Sequence, residues 1–161
     1  MWPRPDLEHF DITRKLFRVL DRHVEDNKLG IVTLPDTGFR LDLPGSGDTV
    51  LSPDIAFVGT QKVLQLPAPG TPERKQYLPV APGLVVEVAS PDQYRPEMAE
   101  KAKLYLASGV WLVWIVWPAA RQVDVWEPGA DEPAATLTEA EALDGGTVMP
   151  GFGYPVASLF A

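Results

Sequence analysis

Two carboxylates interrupt stretches of the sequence that are otherwise apolar. Asp54 opens the segment SPDIAFV, and Glu87 lies inside LVVEVA. An unpaired buried carboxylate is costly, so each group must be protonated, paired with a cation or bound to a metal ion. Because side chains alternate along a strand, each carboxylate shares its face with small or apolar residues, which leaves space for an ion.

If these two strands are neighbours in matching register, Asp54 and Glu87 meet around one hard divalent cation, which prefers oxygen ligands. The sequence alone leaves a structural alternative open. In that alternative, Asp54 caps a turn after Pro53 and Glu87 pairs with an arginine.

Lys101 favours the metal interpretation. It falls within the apolar arc of a helix predicted over residues 97–108, between Leu104 and Tyr105, so its ammonium points inward. A structural alternative has Lys101 extending its ammonium to solvent along the helix surface, or paired with Glu97. An Asp, a Glu and a Lys that converge on a divalent ion indicate phosphodiester hydrolysis, in which the lysine orients or deprotonates the attacking water and holds a phosphate oxygen.

Other familiar chemistries are excluded by the residue inventory. The chain has no cysteine and two histidines, which excludes thiolate zinc sites and multi-histidine metal sites. It also has no GxxxxGK(S/T) phosphate loop, no GxSxG elbow and no GxGxxG motif after a strand.

The elements that must position these residues follow from hydrophobic periodicity. Helices are predicted over residues 6–28 and 97–108, and strands over residues 31–34, 39–43, 54–58, 83–89, 110–117 and 121–127. The last two strands form a hairpin. This order predicts an α/β sandwich, a mixed central β-sheet flanked by two main α-helices.

The 161 residues, 45 % of them apolar, predict a single domain over residues 1–161. Without a signal peptide or an apolar run long enough to span a bilayer, we expect a cytoplasmic protein with no membrane partner. The net charge of −8 argues against a general nucleic-acid coat protein, although a local basic patch is compatible with it.

Several motifs together resemble one known family. They are PD at Pro53 and Asp54, LVVEVASP at residues 84–91, EKxxxY from Glu100 to Tyr105, GVxxxWIV at residues 109–116 and VMPGF at residues 148–152. In order and spacing they resemble the Uma-two family of endonucleases within the PD-(D/E)XK superfamily, and His9 resembles its helix-start histidine. The resemblance covers the chain from about residue 9 and implies a restriction-endonuclease-like fold.

The same resemblance implies a metal-dependent endonuclease, a hydrolase acting on DNA. Asp54 and Glu87 would ligate Mg²⁺ or Mn²⁺, the backbone carbonyl of Val88 would complete the site, and Lys101 would position the water. The superfamily usually carries its lysine two residues after the glutamate, where this chain has Ala89. Family members also carry an acidic residue before the first helix, and in this chain only Glu8 could take its place.

Arginines on the first helix provide a candidate DNA-binding surface. Arg14, Arg18 and Arg22 are four residues apart and form one row that could contact backbone phosphates. The alternative is an ordinary solvated helix face.

Tryptophans 111, 114 and 117 belong to the apolar segment between Val110 and Trp117. They predict either a homodimer through this strand or an unusually aromatic core. Two other function classes remain open: a catalytically silent binding or regulatory module of the same fold, and a scaffold protein.

Overall fold

The computed structural model of the chain describes residues 7–45, 47–72 and 77–161. Its helices are α1 (Leu7–Asp26), α2 (Thr60–Val63), α3 (Arg95–Ala107) and α4 (Val156–Leu159). Its strands are β1 (Gly30–Thr33), β2 (Phe39–Leu43), β3 (Gly47–Leu51), β4 (Ile55–Gly59), β5 (Leu84–Val88), β6 (Leu112–Trp117), β7 (Gln122–Trp126), β8 (Ala135–Leu137), β9 (Ala142–Asp144) and β10 (Gly153–Pro155).

A six-stranded mixed sheet runs in the order β1, β4, β5, β6, β7 and β8. Strands β5 and β6 are parallel and joined by the crossover through α3, whereas the other neighbours are antiparallel. Every residue of β5 and β6 is buried, as expected of central strands covered on both faces.

One main helix covers each face of the sheet. Helix α1 packs Ile12, Leu16, Leu20 and Val24 against one face because these residues recur at helical spacing. Helix α3 packs Met98, Ala102 and Tyr105 against the other. The predicted arrangement of a mixed sheet between two main helices is therefore confirmed. Within the described ranges, no helix is both long and apolar enough to cross a bilayer.

The boundaries of several elements differ from the prediction. Helix α1 ends at Asp26, two residues early, and the predicted start of that helix at residue 6 lies outside the described part of the chain. Strand β3 was not predicted, because its glycine, aspartate and threonine resemble a turn. It pairs with β2 in a hairpin whose Phe39 and Leu41 are buried against the face that α3 covers.

The tryptophan-rich strand is a central strand and not an exposed one. Trp114 is fully buried with its ring centroid 6.0 Å from that of Phe152, and Trp117 is 9 % exposed. Strand β6 is therefore covered from within the chain and offers no exposed face to a second copy, while the homodimer itself stays a prediction. Of the three tryptophans, Trp111 alone is exposed, and it precedes the strand.

Candidate active site

Asp54 and Glu87 lie opposite each other on two neighbouring antiparallel strands. Ile55 of β4 pairs with Val86 of β5, so the same register, continued by one residue, places Asp54 across from Glu87. Alternation directs both side chains to the face of the sheet that α3 covers. The structure thus brings together the two carboxylates that the sequence singled out.

Asp54 is fixed through one of its two oxygens. The backbone N–H of Val88 donates to Oδ2 at 2.8 Å, and His9 Nε2 lies 3.2 Å from the same oxygen. His9 comes from the first turns of α1, which anchors the helix start to the site. Within the described residues, Oδ1 has no protein partner and the side chain is 19 % exposed.

Helix α3 likewise holds Glu87 through one of its two carboxylate oxygens. The Tyr105 hydroxyl donates to Oε1 at 2.7 Å, and Lys101 Nζ lies 3.2 Å from that atom. Lys101 therefore points to Glu87 and not to Glu97, which was the structural alternative. Among the described residues no hydrogen bond or ion pair to Oε2 is found, so each carboxylate has one oxygen bound by protein and one oxygen left for a ligand.

Burial and, to a lesser degree, the nearby charge of Asp54 raise the pKa of Glu87 to about 7, although Lys101 and Tyr105 act in the opposite direction. Burial and the charge of Glu87 also raise the pKa of Tyr105 above its ordinary value. The tyrosine hydroxyl consequently stays protonated and serves as a donor to the carboxylate.

The residues present fit a hard divalent cation. Mg²⁺ is commonly held by one or two carboxylates, with water and substrate oxygens completing its shell. The N–H and C=O of one strand residue point to the same side, so the Val88 carbonyl also faces the side of Asp54. In the described ranges no three His, Cys, Asp or Glu side chains are spaced to hold a metal ion.

The three arginines of α1 lie outside this site. Helix α1 covers the opposite face of the sheet, and these side chains are exposed along it. Arg14 pairs with Asp11 at 2.9 Å and Arg22 lies 4.0 Å from Asp26. Their contact with DNA phosphates stays a prediction about a surface away from the carboxylates.

Sequence reasoning gave Tyr105 no role beyond the apolar arc of its helix. The available signal was its spacing, because a residue four positions after Lys101 lies on the same helix face. A second group, Arg95 with buried Asp124, had no such signal, since 29 positions separate the two residues and only the fold brings them together.

The raised pKa of Glu87 predicts a pH-dependent stability in the absence of metal. The unfolded glutamate ionises near 4.5, whereas the folded one keeps its proton up to about 7. Between these values the folded state binds more protons, so stability falls as the pH rises. Glu87→Gln removes this dependence, so its free energy of unfolding is expected to rise relative to that of the wild type by roughly 2–3 kcal/mol from pH 5 to pH 8.

Urea unfolding in EDTA at both pH values measures this difference. Glu100→Gln is the control, because Glu100 is 75 % exposed on the same helix. An equal response of the wild type and Glu87→Gln to pH would show that Glu87 titrates normally.

Over residues 1–157 the chain matches the sequence family Uma2, described as "Putative restriction endonuclease". Among solved structures it is similar to a protein from Anabaena variabilis ATCC 29413 described as "a putative nuclease belonging to DUF820". The two share 18 % sequence identity with a TM-score of 0.73, over 98 % of this chain and 83 % of the other. No curated protein matches the sequence. The structural likeness confirms the predicted fold class.

Proposed function

Because this chain belongs to the Uma2 family, we propose that it is a metal-dependent endonuclease that hydrolyses DNA phosphodiester bonds at Asp54, Glu87 and Lys101. One observation carries the proposal. The two carboxylates lie opposite each other, each with one oxygen held by protein and one left for a ligand, beside the ammonium of Lys101.

Asp54 Oδ1, Glu87 Oε2 and the Val88 carbonyl would hold Mg²⁺ or Mn²⁺. When bound, such an ion neutralises charge on the scissile phosphate as a Lewis acid. The electrostatics support this assignment, because a bound cation would offset both the burial of the Glu87 charge and its repulsion by Asp54, the two effects that raise the pKa of Glu87.

The surrounding residues hold these groups in place. The Val88 N–H and His9 restrain Asp54, and the Tyr105 hydroxyl restrains Glu87, so the two oxygens left for a ligand are oriented before it arrives. Lys101 contacts Glu87 while remaining 33 % exposed, which leaves donor capacity for a phosphate oxygen or a water.

Lys101→Met is expected to lower cleavage about 100-fold, since loss of one positioned donor at a developing charge commonly has an effect of this size. Lys103→Met is a matched control, because Lys103 is 35 % exposed on the same helix and pairs with Glu100 instead. Single-turnover cleavage measures the effect. Stabilisation by Mn²⁺ should persist in Lys101→Met, because lysine is not a metal ligand; equal cleavage by the two variants would exclude a role for Lys101.

The proposal as a whole is tested by incubating the wild-type protein with plasmid DNA and single-stranded DNA in Mg²⁺, in Mn²⁺ and in EDTA. We expect cleavage with a metal and none in EDTA. If the protein is folded by circular dichroism but cleaves neither DNA with either metal, the endonuclease proposal is wrong, and the silent binding module becomes the better account.

A further inference from the structure

A cleft of about 310 Å³ adjoins the candidate active site. Ala89 and Ser90 line it and follow Val88 directly in the chain, so the cleft begins where the carboxylate site ends. Glu8 lines it from the start of α1, and Tyr94 and Trp117 contribute aromatic rings. The cleft and the carboxylate site thus share the end of β5 and the start of α1, where Glu8 precedes His9.

Arg95 presents a flat cation to the cleft. Its NH1 donates to Asp124 Oδ2 at 3.0 Å and its NH2 donates to Gln122 Oε1 at 3.0 Å. The guanidinium carbon lies 4.7 Å from the centre of the Trp117 ring. Two acceptors therefore fix the guanidinium edge and the indole covers one face, while the side chain remains 48 % exposed.

Buried Asp124 anchors this arrangement. It is 5 % exposed and also accepts hydrogen bonds from Trp117 Nε1 at 2.9 Å and from the Thr136 hydroxyl at 2.7 Å. Its carboxylate thus accepts hydrogen bonds from both the Arg95 guanidinium and the Trp117 indole on which that guanidinium lies. A planar group held in this way is preorganised for stacking, because little side-chain entropy remains to be lost on binding.

The charge of the cleft argues against a site built for the DNA backbone. Among the described residues that line it, Arg95 is the one cation, and Glu8 carries the opposite charge. The chain as a whole has a net charge of −8. The cleft instead offers flat surfaces, the aromatic rings and the guanidinium plane of Arg95, and nucleobases stack on surfaces of both kinds.

We infer that this cleft binds one unstacked nucleobase of the nucleotide next to the scissile phosphate. The inference rests on the proposed function and narrows its substrate to single-stranded DNA or DNA with a displaced base. Tyr94, which is 68 % exposed at the cleft, and the open face of Arg95 provide the stacking surfaces. A base paired within a duplex cannot enter, because its faces are covered by its neighbours.

The test is a binding titration in EDTA with a single-stranded DNA oligonucleotide that contains 2-aminopurine, a fluorescent base whose emission falls on stacking. We expect quenching on binding, with affinity lowered about 10-fold by Tyr94→Ala, since stacking on one aromatic ring has an effect of this order. Arg95→Lys should also weaken binding. It keeps the positive charge beside Asp124 but loses the planar guanidinium on which a base would stack.

Trp111→Ala is the matched control, since Trp111 is an aromatic residue 64 % exposed near the other end of β6. Wild-type affinity and quenching in both cleft variants would overturn the inference, as would equal affinity for a duplex of the same sequence. Cleavage assays separate the two proposals. Wild-type cleavage with unaltered binding by Tyr94→Ala contradicts the base site alone, whereas quenching without cleavage in Mg²⁺ or Mn²⁺ contradicts the nuclease alone.

Discussion

Glu87→Gln is expected to lower metal-dependent DNA cleavage at least about 1,000-fold, because a metal ion contributes several kcal/mol of charge stabilisation at a reacting phosphate. Glutamine has nearly the same shape and keeps an acceptor for the Tyr105 hydroxyl, so the buried surroundings of residue 87 stay intact. It has no negative charge, however, and is a poor ligand for Mg²⁺ or Mn²⁺.

Two measurements together identify the cause of such a loss. Single-turnover cleavage gives the rate, and the rise in melting temperature on adding Mn²⁺ reports binding directly. Both should be lost in Glu87→Gln and kept in Glu100→Gln, whose side chain is exposed on α3. If Glu87→Gln were still stabilised by Mn²⁺ as the wild type is, Glu87 would not be a metal ligand.

Asp54→Asn is the second substitution with a large expected effect, again a loss of at least about 1,000-fold in cleavage because the same ion loses a charged ligand. Asparagine retains an oxygen that can accept the hydrogen bond from the Val88 N–H, so the end of β5 is expected to keep its position. The substitution also removes the negative charge of Asp54, which repels the Glu87 carboxylate.

Asp54→Asn therefore has a readout that a merely damaged fold would not produce. The charge of Asp54 raises the pKa of Glu87, so its removal should move the pH dependence of unfolding to lower pH. Asp42→Asn is the control, because Asp42 is exposed on β2. An unchanged pH profile together with wild-type cleavage would refute the pairing of the two carboxylates.

The face on which each carboxylate lies could be predicted from the sequence. Period-two alternation placed Asp54 and Glu87 on faces shared with small or apolar residues, and helical spacing placed Lys101 on the inner side of its helix. Whether β4 and β5 are neighbours could not be predicted in this way, because the pairing joins segments about thirty residues apart. The match of the register depends on that pairing.

Two features of the molecule depend on tertiary contacts that no local pattern encodes. The sequence of the tryptophan-rich strand is compatible both with a central strand and with an interface. The strand is central because β5 and β7 pair with it on either side. Likewise, Asp124 looks like an ordinary alternating polar residue of a hairpin. Its burial follows from the packing of Arg95 and Trp117 above it.

The candidate site also joins short-range and long-range parts of the chain. Glu87, Lys101 and Tyr105 belong to one strand-to-helix unit, β5 and α3, and can meet through a short loop. Asp54 and His9 come from earlier segments and reach the site only when more distant pairings have formed, which are slower to close. The ion pair of Lys101 with Glu87 can therefore form from a local unit, whereas the capacity to bind a divalent ion requires the longer-range pairing of β4 with β5 as well.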